Sequence, residues 1–210
     1  MVVTSGTAGL HLASIVANMS KGKVLLTSPI TFVATANSSL FCGAEVIFAD
    51  IDSSTINIST DSIKKVILKN KVHAIAPVHF GGLPCDIKKI KEVADQVGAI
   101  IYEDAAHAFG ASFPDGSKVG SCKYSDMTVF SFHPVKSITT GEGGMICTDS
   151  YKHYLKCKSL RNLCFGKKNR FNHEDLGWNY RMSNLQASLG LSQLKRIKIV
   201  IKEKISIGKY

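Results

Sequence analysis

The run Met127-Thr128-Val129-Phe130-Ser131-Phe132-His133-Pro134-Val135-Lys136, followed by Gly141-Glu142-Gly143-Gly144, carries an apolar strand into a turn that presents a lysine. Residues 127–132 form a short run rich in β-branched and aromatic side chains and mostly apolar, the pattern of a strand covered on both faces. Asp104 closes a second such run, Ala99-Ile100-Ile101-Tyr102-Glu103. Outward from these two, residues 23–28, 44–49, 72–78 and 144–148 read as further short buried strands. Helical periodicity fills intervals between them, at 7–19, 32–41, 62–69 and 86–97, with Asp86 placed as an N-cap after Pro84. A helix over 151–162, a Gly/Lys/Asn-rich loop near 165–173 and a long helix over 183–204 complete the chain. Alternating strands and helices predict an α/β fold, a mostly parallel sheet flanked by helices on both faces. Ligands of such sheets gather at the carboxyl ends of the strands, where Asp104 and Lys136 fall.

Composition narrows the function classes. The 210 residues suffice for one domain with a sizeable core, and 45% hydrophobic with 20% charged residues is ordinary for a globular chain. No apolar run is long enough to span a membrane, and the amino terminus lacks the basic and apolar regions of a secretory signal, so the expected compartment is the cytoplasm. The six cysteines are scattered without a CxxC pair, which favours free thiols over a disulfide framework or a zinc site. The net charge of +10 is uneven: residues 1–150 hold 12 Lys and Arg against 13 Asp and Glu, residues 151–210 hold 14 against 3. The basic residues stand singly or in pairs among aliphatic ones, with no nucleic-acid motif, and read as solvated helix faces.

Four motifs carry chemistry. Ser5-Gly6-Thr7-Ala8-Gly9 puts small residues before an amphipathic helix, where backbone N–H groups and the helix dipole suit an anion and Thr7 adds a hydroxyl; an ordinary helix cap uses the same residues. In Pro29-Ile30-Thr31-Phe32-Val33-Ala34-Thr35, Phe32 at a strand-to-helix junction can stack on a planar ring or fill the core. In Glu103-Asp104-Ala105-Ala106-His107, Asp104 is a fixed anion or a helix cap, and His107 a site residue or a core histidine. Lys136, with Ser131 five positions before it, is the fourth. An amine nucleophile and a fixed anion at two strand ends are what pyridoxal phosphate (PLP) chemistry needs: the amine for the Schiff base, the anion for the protonated pyridine nitrogen.

The motifs SGTAGLH, TFVATAN, EDAAHAFG, VFSFHPVKSITTGEGG and GWNYRMSNLQASLGLSQL resemble the DegT/DnrJ/EryC1/StrS family of PLP-dependent sugar aminotransferases, over nearly the whole chain. PITFVATAN and FHPVKSITTGEGG are most similar to its flagellin-glycan and surface-sugar branch, which includes a transaminase of the pseudaminic acid pathway. The resemblance implies the large PLP-binding domain of the fold-type I aminotransferases. It implies Lys136 as the Schiff-base amine and proton shuttle, Asp104 on the pyridine nitrogen, Phe32 on the ring and His107 near the phenolic oxygen. Thr7, the Ala8 N–H and Ser131 would hold the phosphate, and Asn179 would reach the phosphate of a neighbouring subunit in a homodimer. The implied reaction moves an amino group from glutamate to a nucleotide-linked 4-keto-6-deoxy sugar. Complete members begin well before the SGT motif and continue past the QL helix into a smaller carboxy-terminal domain. Residues 1–210 are therefore expected to be a large domain incomplete at both ends, with 183–210 leading towards a missing small domain and an exposed apolar surface where that domain docks. The alternative is a catalytically silent PLP-binding remnant that at most binds a partner subunit.

Overall fold

The computed structural model describes residues 1–166 and 168–207; the last three residues of the 183–210 segment lie outside them. In chain order the elements are β1 (Val2–Val3), α1 (Gly6–Val16), β2 (Val24–Thr27), α2 (Ala34–Leu40), β3 (Glu45–Phe48), α3 (Thr60–Ile67) and β4 (Ala74–Ala76). A 3₁₀ turn (Phe80–Gly82) precedes α4 (Ile87–Val97), β5 (Ile100–Asp104), β6 (Met127–Ser131), β7 (Gly144–Cys147), α5 (Tyr151–Leu160) and α6 (Asn184–Ile207). All six predicted strands and all six predicted helices are present, with ends shifted by a few residues. β1 was not foreseen, because two residues are too short to show a period.

The seven strands form one sheet in the order β1-β7-β6-β5-β4-β2-β3. Strands β3, β2, β4, β5 and β6 run parallel, β7 runs antiparallel to β6, and β1 antiparallel to β7. Adjacent residues of the central strands feed opposite faces, as the two-residue period of a strand requires. Leu25 and Tyr102 enter a core with α1, α2 and α5, whereas Leu26, Ile75 and Ile101 enter a second core with α3 and α4. Both faces are thus covered, and the central strands are predominantly apolar.

The caps explain several helix starts. Ser5, Ser59, Asp86 and Ser150 each accept a backbone N–H from three residues on, satisfying a donor that the first turn leaves unpaired. α6 opens with a reciprocal pair: Ser183 Oγ accepts the Gln186 N–H at 3.3 Å, and Gln186 Oε1 accepts the Ser183 N–H at 3.0 Å. No residue of α6 is buried, and Leu185, Leu191, Ile199 and Ile207 are exposed. Among the described residues no helix is long and apolar enough to cross a membrane. All six cysteines are free thiols.

One buried polar cluster fixes the carboxyl end of β5. Glu103 and His79 are essentially inaccessible, and Glu103 Oε2 lies 2.7 Å from His79 Nε2. His79 Nδ1 accepts the Cys85 N–H at 3.0 Å, so the ring proton sits on Nε2 and is donated to Glu103. Glu103 Oε1 accepts from the hydroxyls of Ser125 and Thr128. Burial pushes the Glu103 carboxyl up, but the His79, Ser125 and Thr128 hydrogen bonds outweigh it and hold the group below the usual carboxylate range. A depressed pKa means stability present above the unfolded-state value and lost as pH falls through the folded-state value. Glu103→Gln keeps the shape but turns one acceptor into a donor facing donors. It is expected to lower stability by about 1–3 kcal/mol, read as a lower midpoint in denaturant at neutral pH, with the difference from the parent shrinking as pH falls into the acid range. Equal midpoints at neutral pH would contradict this role.

Candidate active site

Two strand ends and a helix start converge on one place. β5 ends at Asp104, β6 at Ser131, and α1 begins at Gly6 beside Ser131. The approach is close enough to need glycine: a Cβ on Gly6 would lie 2.9 Å from Ser131 Cβ, nearer than side chains pack. Here a cavity of ≈ 310 Å³ opens, lined among others by Thr7, Phe32, Asp104, His107, Ser131 and Lys136. That volume is at the lower end for small-molecule sites.

Each side chain is placed by local structure. Ser5 caps α1, and its Oγ takes the Ala8 N–H at 3.0 Å, leaving those of Gly6 and Thr7 without an intrahelical partner at the positive end of the dipole. Phe32 lies in the loop leading to α2 and is 71% exposed, so it is a cavity-wall aromatic and not a core residue. Asp104 is buried; its Oδ2 accepts the Thr35 hydroxyl at 2.6 Å and its Oδ1 the Ala106 N–H at 3.1 Å. No helix follows it, which removes the helix-cap reading.

Lys136 sits on the loop from β6 to β7. Its N–H donates to the His133 carbonyl at 3.0 Å, closing a turn. The loop's ends are drawn together where the Phe132 N–H donates to Gly143 O at 2.8 Å, and where the Thr140 N–H and Thr139 hydroxyl donate to Phe132 O. From α6, Gln186 Nε2 donates to the Glu142 carbonyl at 3.0 Å and braces the far side of the loop.

The charges are mutually dependent. Burial lowers the Lys136 pKa from the ordinary lysine range, and the Asp104 anion opposes that shift. His107 is exposed by area, yet it stands in the cavity wall with its ring edge-to-face with Phe80 at 6.3 Å. Burial and then the Lys136 cation lower its pKa, and Asp104 again opposes. A lysine so placed reaches its neutral, nucleophilic form at lower pH than an exposed one.

The family model for the DegT/DnrJ/EryC1/StrS aminotransferase family matches residues 1–210. The chain belongs to this family. GDP-perosamine synthase of Vibrio cholerae is 36% identical over 206 residues, covering 98% of this chain and 55% of that protein. UDP-4-amino-4,6-dideoxy-N-acetyl-beta-L-altrosamine transaminase of Campylobacter jejuni is 39% identical over 200 residues, covering 93% and 52%. Among solved structures, Helicobacter pylori PseC, an aminotransferase of pseudaminic acid biosynthesis, superimposes with a TM-score of 0.84 at 32% identity, covering 95% of this chain and 53% of that one. The chain therefore spans about half the length of the relatives it matches.

The family is PLP-dependent, and the cavity of this aminotransferase-family chain fits that cofactor. It offers orphan N–H groups and hydroxyls for a phosphate at one end, an exposed aromatic face, a hydrogen-bonded carboxylate, and an amine. Of the residues expected from sequence, Thr7, Phe32, Asp104, His107, Ser131 and Lys136 meet here. Ala8 is buried behind the wall with its N–H turned to Ser5. Asn179 is exposed outside the cavity, its Oδ1 accepting from Arg181 Nε and Nη2 at 3.2 Å each. Thr31, His133 and Glu142 also line the wall and were not singled out; all three lie inside the quoted motifs, which was the available signal.

Trinitrobenzenesulfonate labelling of the cofactor-free protein, with peptide mapping, reads the Lys136 charge state directly. Because its pKa is lowered, its labelling rate is expected to rise at a lower pH than that of the exposed lysines. Asp104→Asn removes the anion that holds the proton on, so the midpoint moves lower still. A Lys136 midpoint matching the exposed lysines, or an upward move in Asp104→Asn, would contradict this electrostatic picture.

Proposed function

We propose that this protein is a PLP-dependent aminotransferase acting on a nucleotide-linked 4-keto-6-deoxy sugar, with glutamate as amino donor, in the making of a surface glycan of the pseudaminic acid or O-antigen type. The observation that carries the reading is the convergence of Lys136, Asp104, Phe32 and Ser131 on one cavity at the start of α1. PLP, when bound, supplies an electron sink that lets an amino group be taken up and passed on. The chain's residues supply the rest.

Thr7, Ser131 and the amino end of α1 bind the phosphate, which fixes the ring's position. The Ala8 N–H joins them only if Ser5 releases it. Phe32 covers one ring face. Asp104, acceptor-only while ionised, keeps a proton on the pyridine nitrogen. Lys136 offers a neutral amine and afterwards carries a proton to and from the reacting carbon. His107, with its pKa lowered, stands as a neutral imidazole able to hydrogen-bond the phenolic oxygen. In a homodimer Asn179, exposed and outside its own chain's cavity, would serve the neighbouring subunit's phosphate.

Support for the substrate class comes from the relatives: GDP-perosamine synthase and the altrosamine transaminase are both named for amino sugars carried on nucleotides. Two measurements test the proposal. Borohydride reduction of the PLP-loaded protein is expected to fix the cofactor on the peptide containing Lys136, and Lys136→Ala is expected to abolish the adduct. An amino-transfer assay with glutamate and UDP- or GDP-linked 4-keto sugars is expected to give product, reduced by at least about a hundredfold in Lys136→Ala. No adduct at Lys136 would remove the cofactor reading. An adduct without product would leave a PLP-binding remnant in place of an enzyme.

A further inference from the structure

Asp104 is held by a residue that the proposed chemistry does not use. Thr35, in the first turn of α2, is fully buried, and its hydroxyl lies 2.6 Å from Asp104 Oδ2. The same oxygen lies 2.7 Å from the hydroxyl of Thr31, a half-buried residue of the cavity wall. A hydroxyl has one proton to give, and a short bond to a carboxylate is its strongest use. Thr35 therefore donates to Asp104 and accepts from Thr31. The backbone of Thr35 makes a second connection: its N–H donates to the carbonyl of Phe32 at 3.2 Å. One residue thus touches both the anion and the segment that carries the exposed aromatic ring. On the other side of the carboxylate, the Ala106 N–H holds Oδ1 and leaves it little freedom to rotate.

We propose that Thr35 is a positioning residue: its hydroxyl fixes the Asp104 carboxylate and ties it to the Phe32 segment, so that a planar ring between them is held in one orientation. Thr31 completes the relay by turning the Thr35 proton towards Asp104. The proposal rests on the reading that this cavity binds PLP. A plainer role exists for Thr35 as a core residue that starts α2, and the two roles make opposite demands on the side chain. Packing needs the branched shape, whereas positioning needs the hydroxyl.

The test compares Thr35→Val, which keeps the shape and loses the hydroxyl, with Thr35→Ser, which keeps the hydroxyl and loses the methyl. Each variant of the 210-residue chain is titrated with PLP, and the visible circular dichroism per bound cofactor is recorded as the measure of fixed ring orientation. The thermal midpoint without PLP is taken for each. Thr35→Val is expected to bind PLP roughly tenfold more weakly and to lose much of the visible signal, whereas Thr35→Ser remains close to the parent in both. Parent-like affinity and signal in Thr35→Val, or equal losses in the two variants, would overturn the proposal. If Thr35→Val does not fold, Thr31→Val serves: a weaker visible signal supports the relay, and a parent-like one overturns it. A parent protein that binds PLP while Thr35→Val matches it sinks only the role of Thr35. A parent that binds no PLP sinks the cofactor reading and this proposal together.

Discussion

The start of α1 can lie against the ends of β6 and β7 only because no side chain stands between them. A Cβ on Gly6 would meet Ser131, and one on Gly144 would come within 2.6 Å of the Ser5 carbonyl oxygen. Close packing of this kind forbids even a methyl group without displacement. The contact sets the site, since it brings the electropositive end of a helix to the end of the strand that leads into the Lys136 loop. It also explains the direction of β1. Running antiparallel to β7, that short edge strand delivers the chain to the carboxyl side of the parallel strands, where α1 must begin.

Three consecutive residues of β5 divide the polar work of the interior. The Tyr102 hydroxyl lies on the α1 and α2 face, hydrogen-bonded with Ser14, Ser38 and Ser39. Glu103 points to the opposite face and gathers His79, Ser125 and Thr128. Asp104 stands at the end, where the strand stops and the cavity begins. The alternation is the ordinary period of a strand, applied to polar groups that each need buried partners. Anchored on both faces one and two residues earlier, the Asp104 backbone has little freedom to shift. Its carboxylate is then held by Thr35 and the Ala106 N–H, so the fixed anion is fixed at two levels.

Much of this was legible in the chain because buried parallel strands leave a strong mark. Runs such as those at 99–103 and 127–132 are mostly apolar on both faces, and the helices between them keep their 3.6-residue period and their caps. Most of the polar cavity lining also falls inside the motifs, since Lys136, Asp104, Phe32, His107, Ser131 and Thr7 each stand at a strand end, on the loop that follows one, or at a strand-to-helix junction. Other features left no local trace. Whether the Ala8 N–H faces a ligand or Ser5 depends on how the cap closes, and whether Phe32 is core or wall depends on what lies across from it. The brace from Gln186 to the Lys136 loop joins residues far apart in the chain, and no local pattern reports it.

The sequence alone determined the class of fold and the kinds of chemical group available, because strand burial, helix caps and glycine turns are written in neighbouring residues. The tertiary structure alone decided which groups share a cavity and how each is held. Asp104 gains Thr35, Lys136 feels Asp104, and His107 feels both, through distances that the strand order sets. Hydrogen bonds and charges act over a few ångströms of space, and separation along the chain does not give those distances until the sheet is assembled.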